Sequence, residues 1–161
     1  MFFQPQIDVK PVGYVRARAI SEEVKDKMRI SEIVILPELS EALDGLADYS
    51  HVYVLFWLHE ISREKRLTLK IYPRGREDLP LVGVFAVRSN IRPNPIGLTV
   101  VELLKVEGNV VTVRGLDAFD GTPVLDIKPY DSWDVVKDVK VPGWWLTLED
   151  KKPEKVAVLK E

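Results

Sequence analysis

Three stretches of this 161-residue chain carry residue types able to hold a ligand. The first is Arg88-Ser89-Asn90-Ile91-Arg92-Pro93-Asn94-Pro95. Its two prolines fix φ, remove two backbone donors and push the residues before them into extended conformations, so it reads as a stiff loop. A stiff loop presents Arg88, Arg92 and Asn94 at low entropic cost, as ligand recognition requires. The second stretch is Leu116 to Tyr130. Asp117 and Asp120 bracket a turn closed by Gly121-Thr122-Pro123, and Asp126, Lys128 and Tyr130 alternate so that all three share one face of a strand. Spacing alone favours a plainer reading, with Asp120-Gly121 a common turn and Asp126 paired to Lys128 on a solvated face. The third is His59-Glu60, at the end of the apolar run His51 to Leu58. These two are either site groups delivered by a strand end, or a strand cap and a solvated carboxylate.

A fourth stretch, 61–78, sets Arg63, Lys65, Arg66, Lys70, Arg74 and Arg76 against Glu64, Glu77 and Asp78, a local excess of +3 in a chain whose formal net charge is -2. With Tyr72 interleaved and Arg92 beside it, the cluster suits RNA phosphates and a splayed base. It equally suits an ion-pair network of the kind that stabilises proteins at high temperature. Other chemistries lose their support. There is no G-x-G-x-x-G, no phosphate-binding G-x-x-x-x-G-K-[ST] and no G-x-S-x-G elbow. His59-Glu60 lacks the second histidine of H-E-x-x-H, because Arg63 stands there, and Asp117 to Gly121 has too few acids for a calcium loop. No metal site is expected, and no cysteine is present for disulfides or thiolate ligation.

The elements that must position these groups read as short strands. Val12–Ala17, Ile30–Leu36, Val52–Leu58, Leu67–Tyr72, Gly83–Val87, Thr99–Val106 and Val110–Arg114 are rich in β-branched, leucine and aromatic residues, and Glu107-Gly108-Asn109 supplies a hairpin turn. His51–Leu58, nearly continuous in apolar residues, reads as a strand covered on both faces. Only Ser40–Leu46 reads as a helix, with Ser40 its N-cap. The pattern predicts a mainly β fold, a single-domain antiparallel β-barrel over 1–161 with few short helices, rather than a βαβ sheet. Hydrophobic residues at 46% suffice for one core. No run approaches the roughly 20 apolar residues that span a bilayer, and the first residues lack a signal-peptide pattern, so a cytoplasmic chain is expected. The charged 149–155 stretch is expected to be exposed, with Val156–Leu159 a possible edge strand; Trp133, Trp144 and Trp145 are expected in the core or a subunit interface.

RSNIRPNPIGLT (88–99), LDAFDGTPVLDIKPY (116–130) and DYSHVYVLFWLHE (48–60) closely resemble, in the same order, the motifs of the TsaA-like, or tRNA methyltransferase O, family. The resemblance is strongest over 12–130. It implies a β-barrel, S-adenosylmethionine as cofactor, tRNA as partner, a homodimer, and methylation of N6 of threonylcarbamoyl-adenosine beside the anticodon. It places His59, Glu60, Arg88, Leu98, Asp117, Ala118, Phe119 and Asp120 at the cofactor, with no catalytic residue assigned, and Arg66, Arg74 and Arg92 are the residues taken for RNA contact. Carboxylates such as Asp117, Asp120 or Glu60 suit the ribose diol or the amine, Arg88 the carboxylate, and Leu98 with Phe85 the adenine. The family's Pro-Arg-Gln-like cofactor segment is replaced here by the charged 19–28 stretch. Three activities follow as alternatives: this tRNA methyltransferase, a methyltransferase of the same fold with another substrate, or a catalytically silent RNA- or ligand-binding barrel.

Overall fold

Alternation of small apolar residues with polar ones closes a barrel in the computed structural model, whose described residues are 7–17 and 26–149. The strands are β1 (Gly13–Arg16), β2 (Ile30–Ile35), β3 (His51–Trp57), β4 (Lys70–Ile71), β5 (Val82–Gly83), β6 (Ile96–Glu107), β7 (Val110–Arg114) and β8 (Pro123–Pro129). Six of them form a closed barrel in the order β1-β2-β7-β6-β3-β8, every pair antiparallel, while β4 and β5 make a separate two-stranded ribbon. The inward positions are Val15, Ile33, Ile35, Val52, Val54, Phe56, Val101, Val111, Val113 and Val124, none more than 4% exposed. Burying each such aliphatic side chain contributes about 1.5–3 kcal/mol, and this layer is the core. Gly108, at φ +57, opens the two-residue turn that pairs Glu107 with Val110.

The register decides which ends meet. Trp57 of β3 pairs with Ile96 of β6, Phe56 with Val124 of β8, Tyr14 of β1 with Pro123, and Ile30 of β2 with Arg114 of β7. One rim of the barrel therefore collects the ends of β1, β3 and β7 and the starts of β2, β6 and β8. The 58–60, 88–95 and 115–122 segments all leave from that rim.

Several local expectations differ from what is found. The apolar run Val84-Phe85-Ala86 forms a 3-10 turn rather than a buried strand, and Phe85 is 79% exposed. The β4–β5 ribbon pairs only two residues on each side, too few to carry that run on as strand. The 67–72 strand shrinks to Lys70–Ile71 because Arg63–Arg66 (α1) forms a helical turn, with the Ser62 hydroxyl accepting from the Lys65 amide. Ser40 caps nothing: a 3-10 helix runs Pro37–Leu43, Pro37 supplying the φ of its first turn. β3 is fully buried on its barrel face only, with Tyr53, Leu55 and Trp57 on the other face half-buried. Trp133 is 94% exposed and so outside the core, whereas Trp144 and Trp145, on α2 (Gly143–Glu149), are half-buried. Asp126 and Lys128 do form a surface ion pair at 2.8 Å. The 156–159 strand and most of the 149–155 stretch lie outside the described residues.

Candidate functional site

The 88–95 loop is held by its own side chains. Ser89 Oγ accepts from the Ile91 amide, Arg92 Nη1 donates to the Ser89 carbonyl at 3.1 Å, and the Leu58 amide donates to the Pro95 carbonyl at 2.8 Å. The last of these bonds binds the loop to the chain that carries His59 and Glu60. β6 follows with one edge only partly used, since it pairs with β3 from Ile96 to Glu102 but with β7 only from Glu102 onward. Because Pro95 and Leu103 bond toward the β3 side, antiparallel alternation turns the carbonyl of Leu98 to the other, unpaired edge. Arg88 Nη2 donates to it there at 2.7 Å.

The 115–122 segment reaches the same edge. Thr99 Oγ1 donates to Asp117 Oδ1, and Lys27 Nζ lies 3.6 Å from Asp117 Oδ2. Arg88 and Asp117, from two separate motifs, thus converge on adjacent residues of β6. Asp120 Oδ1 accepts from the Ala17 amide at 2.8 Å, tying the segment to the end of β1. Leu116 and Ala118 are buried, while the side chains of Asp117 and Phe119 stay accessible. Gly115 sits at φ +89, where a side chain would be strained, and a Cβ there would press on the Lys27 carbonyl oxygen at 3.1 Å.

All eight residues placed at the cofactor by motif therefore stand on one rim, though their roles differ. Arg88, Leu98, Asp117 and Asp120 are joined to it by the bonds above. His59 and Glu60 are exposed in the turn after β3, and Ala118 contributes a carbonyl rather than a surface. The donor set fits S-adenosylmethionine: Asp117 and Glu60 are accessible acceptors, Arg88 keeps donors beyond the one given to Leu98, and Leu98 at 46% and Phe119 at 36% exposure offer apolar surface. Lys27 and Arg29, which contact the 115–118 backbone, carried no sequence signal, because their roles depend on a turn packing against a segment far along the chain.

The basic stretch is less uniform than its sequence. Arg66 lies over the Trp57 ring at 5.2 Å and donates to the Ile61 carbonyl, and Arg76 pairs with Asp78 at 2.5 Å, that bond holding its proton more firmly than usual. Arg74 is exposed at φ +54 in a turn with Gly75, and no ion pair to it is found among the described residues. A depression of about 540 Å³ lined by Asp44, Leu46, Asp48, Tyr49, Ile127 and Pro129 lies at the opposite end of the barrel, so it is not this site. Among the described residues no group of three or more acidic, His or Cys side chains is placed to hold a metal, and no helix is long and apolar enough to cross a membrane.

The chain is similar to known proteins in both sequence and fold. Residues 19–134 match the model of the tRNA-methyltransferase O N-terminal domain. A probable S-adenosyl-L-methionine-binding protein of Methanothermobacter thermautotrophicus is 45% identical over 137 residues, covering 78% of this chain and 90% of its own. The putative S-adenosylmethionine-dependent methyltransferase RcsF of Pseudomonas aeruginosa is 37% identical over 141 residues, 82% of this chain and 61% of its own. A crystal structure of TrmO from Pseudomonas aeruginosa superposes with a TM-score of 0.68 at 32% identity over 89% of this chain, which spans 64% of that structure's chain. With the family model covering most of its length and the fold shared, this chain belongs to the tRNA-methyltransferase O family.

Proposed function

We propose that this chain is an S-adenosylmethionine-dependent methyltransferase that methylates N6 of threonylcarbamoyl-adenosine next to the tRNA anticodon. The observation that carries the reading is the meeting of Arg88 and Asp117 on Leu98 and Thr99, beside the accessible His59-Glu60 turn. The names of the relatives, one a probable S-adenosyl-L-methionine-binding protein and one a TrmO, support it.

The bound cofactor supplies a sulfonium-activated methyl group. What remains for the protein is placement, since methyl transfer from such a donor is an in-line displacement in which orientation outweighs acid or base chemistry. Arg88 suits the carboxylate end, and its bond to the Leu98 carbonyl fixes where its remaining donors point. Asp117 and Glu60 offer acceptors to the ribose hydroxyls or the amine, and Leu98 with Phe119 walls the ring. The six cations of 61–78 and Arg92 form the RNA-facing surface, with Arg74 the one best presented for a phosphate. A homodimer belongs to the same reading: the accessible Trp133 would be covered in it, and a dimer is the form tested by light scattering.

Labelled S-adenosylmethionine is incubated with tRNA that does or does not carry the threonylcarbamoyl group. Transfer to the modified tRNA alone supports the proposal. Cofactor binding with no transfer to either tRNA points to another substrate, and absence of both points to a silent barrel.

A further inference from the structure

Arg29 precedes β2, and its carbonyl accepts from the Gly115 amide at 2.9 Å, so it continues the β2–β7 ladder toward the site rim. By strand alternation its side chain shares the inward face with Ser31, which is 2% exposed. One nitrogen, Nη2, donates to the carbonyls of both Leu116 at 3.0 Å and Ala118 at 2.9 Å. Two carbonyl oxygens held this close to one nitrogen lie no more than about 5.9 Å apart, nearer than the roughly 6.6 Å two-residue repeat of a straight strand, so the segment bends around the guanidinium with both carbonyls converging on it. Leu116 and Ala118 are buried at these anchors, while the side chains of Asp117 and Phe119 stand on the accessible side.

The same guanidinium is costly where it is. Nε and Nη1 are buried without an acceptor, and Arg29 makes no ion pair, among the described residues. A buried cation kept at such expense is poor evidence for a purely stabilising role. Lys27, two residues earlier in the same turn, reaches the Gly115 carbonyl and Asp117 Oδ2, so the 26–29 turn grips the segment at two points.

We propose that Arg29 is a positioning residue: it fixes the bend of Leu116 to Phe119 so that Asp117 and Phe119 are presented to the cofactor. This rests on the cofactor reading above, and the test separates the two. Arg29→Met keeps the volume and removes the donors; Arg29→Lys keeps the charge and removes the two-pronged geometry; Val111→Ala trims a fully buried core side chain beside the 107–110 turn, at the end of β7 away from the site rim, and serves as the stability control. Calorimetry with S-adenosylmethionine should show a Kd at least about tenfold weaker in Arg29→Met, a smaller weakening in Arg29→Lys, and wild-type affinity in Val111→Ala despite its lower Tm. Wild-type affinity in folded Arg29→Met overturns the proposal, as does wild-type affinity in Arg29→Lys should the Met variant not fold. Amide hydrogen exchange gives a ligand-free readout. The bonded amides of Gly121 and Thr122, which close this segment onto Val15 and Phe119, should exchange at least about tenfold faster than wild type in the Arg29 variants while β3 keeps its protection, and unchanged exchange there overturns the positioning role even if no variant binds cofactor.

Discussion

Gly97 offers a direct test of how the 88–99 motif is built. It pairs with Phe56 across β3 and β6, and a Cβ at Gly97 would lie 2.3 and 2.4 Å from the Cε2 and Cζ atoms of the Phe56 ring. That ring is 2% exposed inside the core cluster, so it has little freedom to swing aside. Gly97→Ala should therefore behave as overpacking, a loss of about 1–3 kcal/mol. For a chain of this size that is a fall in Tm of roughly 3–10 °C. The assay is a double-mutant cycle by thermal or urea unfolding. Phe56→Leu should itself destabilise by about 1–2 kcal/mol as buried ring volume is lost. If the clash is the cause, Gly97→Ala in the Phe56→Leu background should cost less by about 1 kcal/mol or more. Strictly additive losses would refute the steric argument, and an unchanged Tm in Gly97→Ala alone would refute the packing it is drawn from. Because Gly97 lies two residues beyond Pro95, whose carbonyl holds the chain before His59, the same variant should also weaken S-adenosylmethionine binding in the folded protein.

Arg88→Ala should weaken S-adenosylmethionine binding about tenfold or more by calorimetry, with far-UV circular dichroism unchanged, since the side chain is exposed and its removal opens no cavity. Arg74→Ala should lower the salt dependence of tRNA binding by about one unit of log-log slope, leaving cofactor affinity alone. Arg74→Gly should do the same without loss of Tm, because glycine removes the penalty of about 1–2 kcal/mol for a side chain at positive φ. Arg92→Ala should impair RNA binding chiefly and Arg88→Ala cofactor binding chiefly, measured against both ligands. At alkaline pH the sign follows from two raised groups: burial and nearby Asp134, Tyr130 and Asp131 lift Tyr53 above 10.0, and the Asp126 hydrogen bond lifts Lys128 above 10.5. Their protonated forms are favoured in the folded state, so that contribution is complete below those values and is lost as pH rises through the folded pKa. Tm measured from pH 8 to 11 should fall less steeply at the top of the range in Tyr53→Phe with Lys128→Met than in wild type.

The strands were legible where both signals agreed. In β2, β3 and β7, alternating or continuous β-branched residues lie between turn residues, and the barrel interior forces that alternation to be buried on one face. The 84–87 run carried the same composition and was misread, since four apolar residues specify a strand only if a partner is there to pair with, and β4 offers two residues. The stiffness of 88–95 was legible because proline acts through its own covalent geometry. The loop's two arginines were already expected to serve different ligands, but the partner of each was not legible: Arg88 crosses to β6 while Arg92 closes on Ser89, and only the relative placement of loop and strand decides this.

By itself, then, the sequence determined what local chemistry dictates: a β-rich chain with one core, a rigid arginine-bearing loop, an aspartate turn and a basic stretch, along with motifs distinctive enough to mark the family. Tertiary structure decided which of these meet. The antiparallel register brings the 58–60, 88–95 and 115–122 segments to one rim, and the early end of β7 leaves an edge of β6 open for Arg88 and Asp117 to reach. It also decided the part played by Lys27 and Arg29. Their sequence neighbours give no hint of it, because a side chain's partner is set by which distant backbone the closure of the barrel lays beside it.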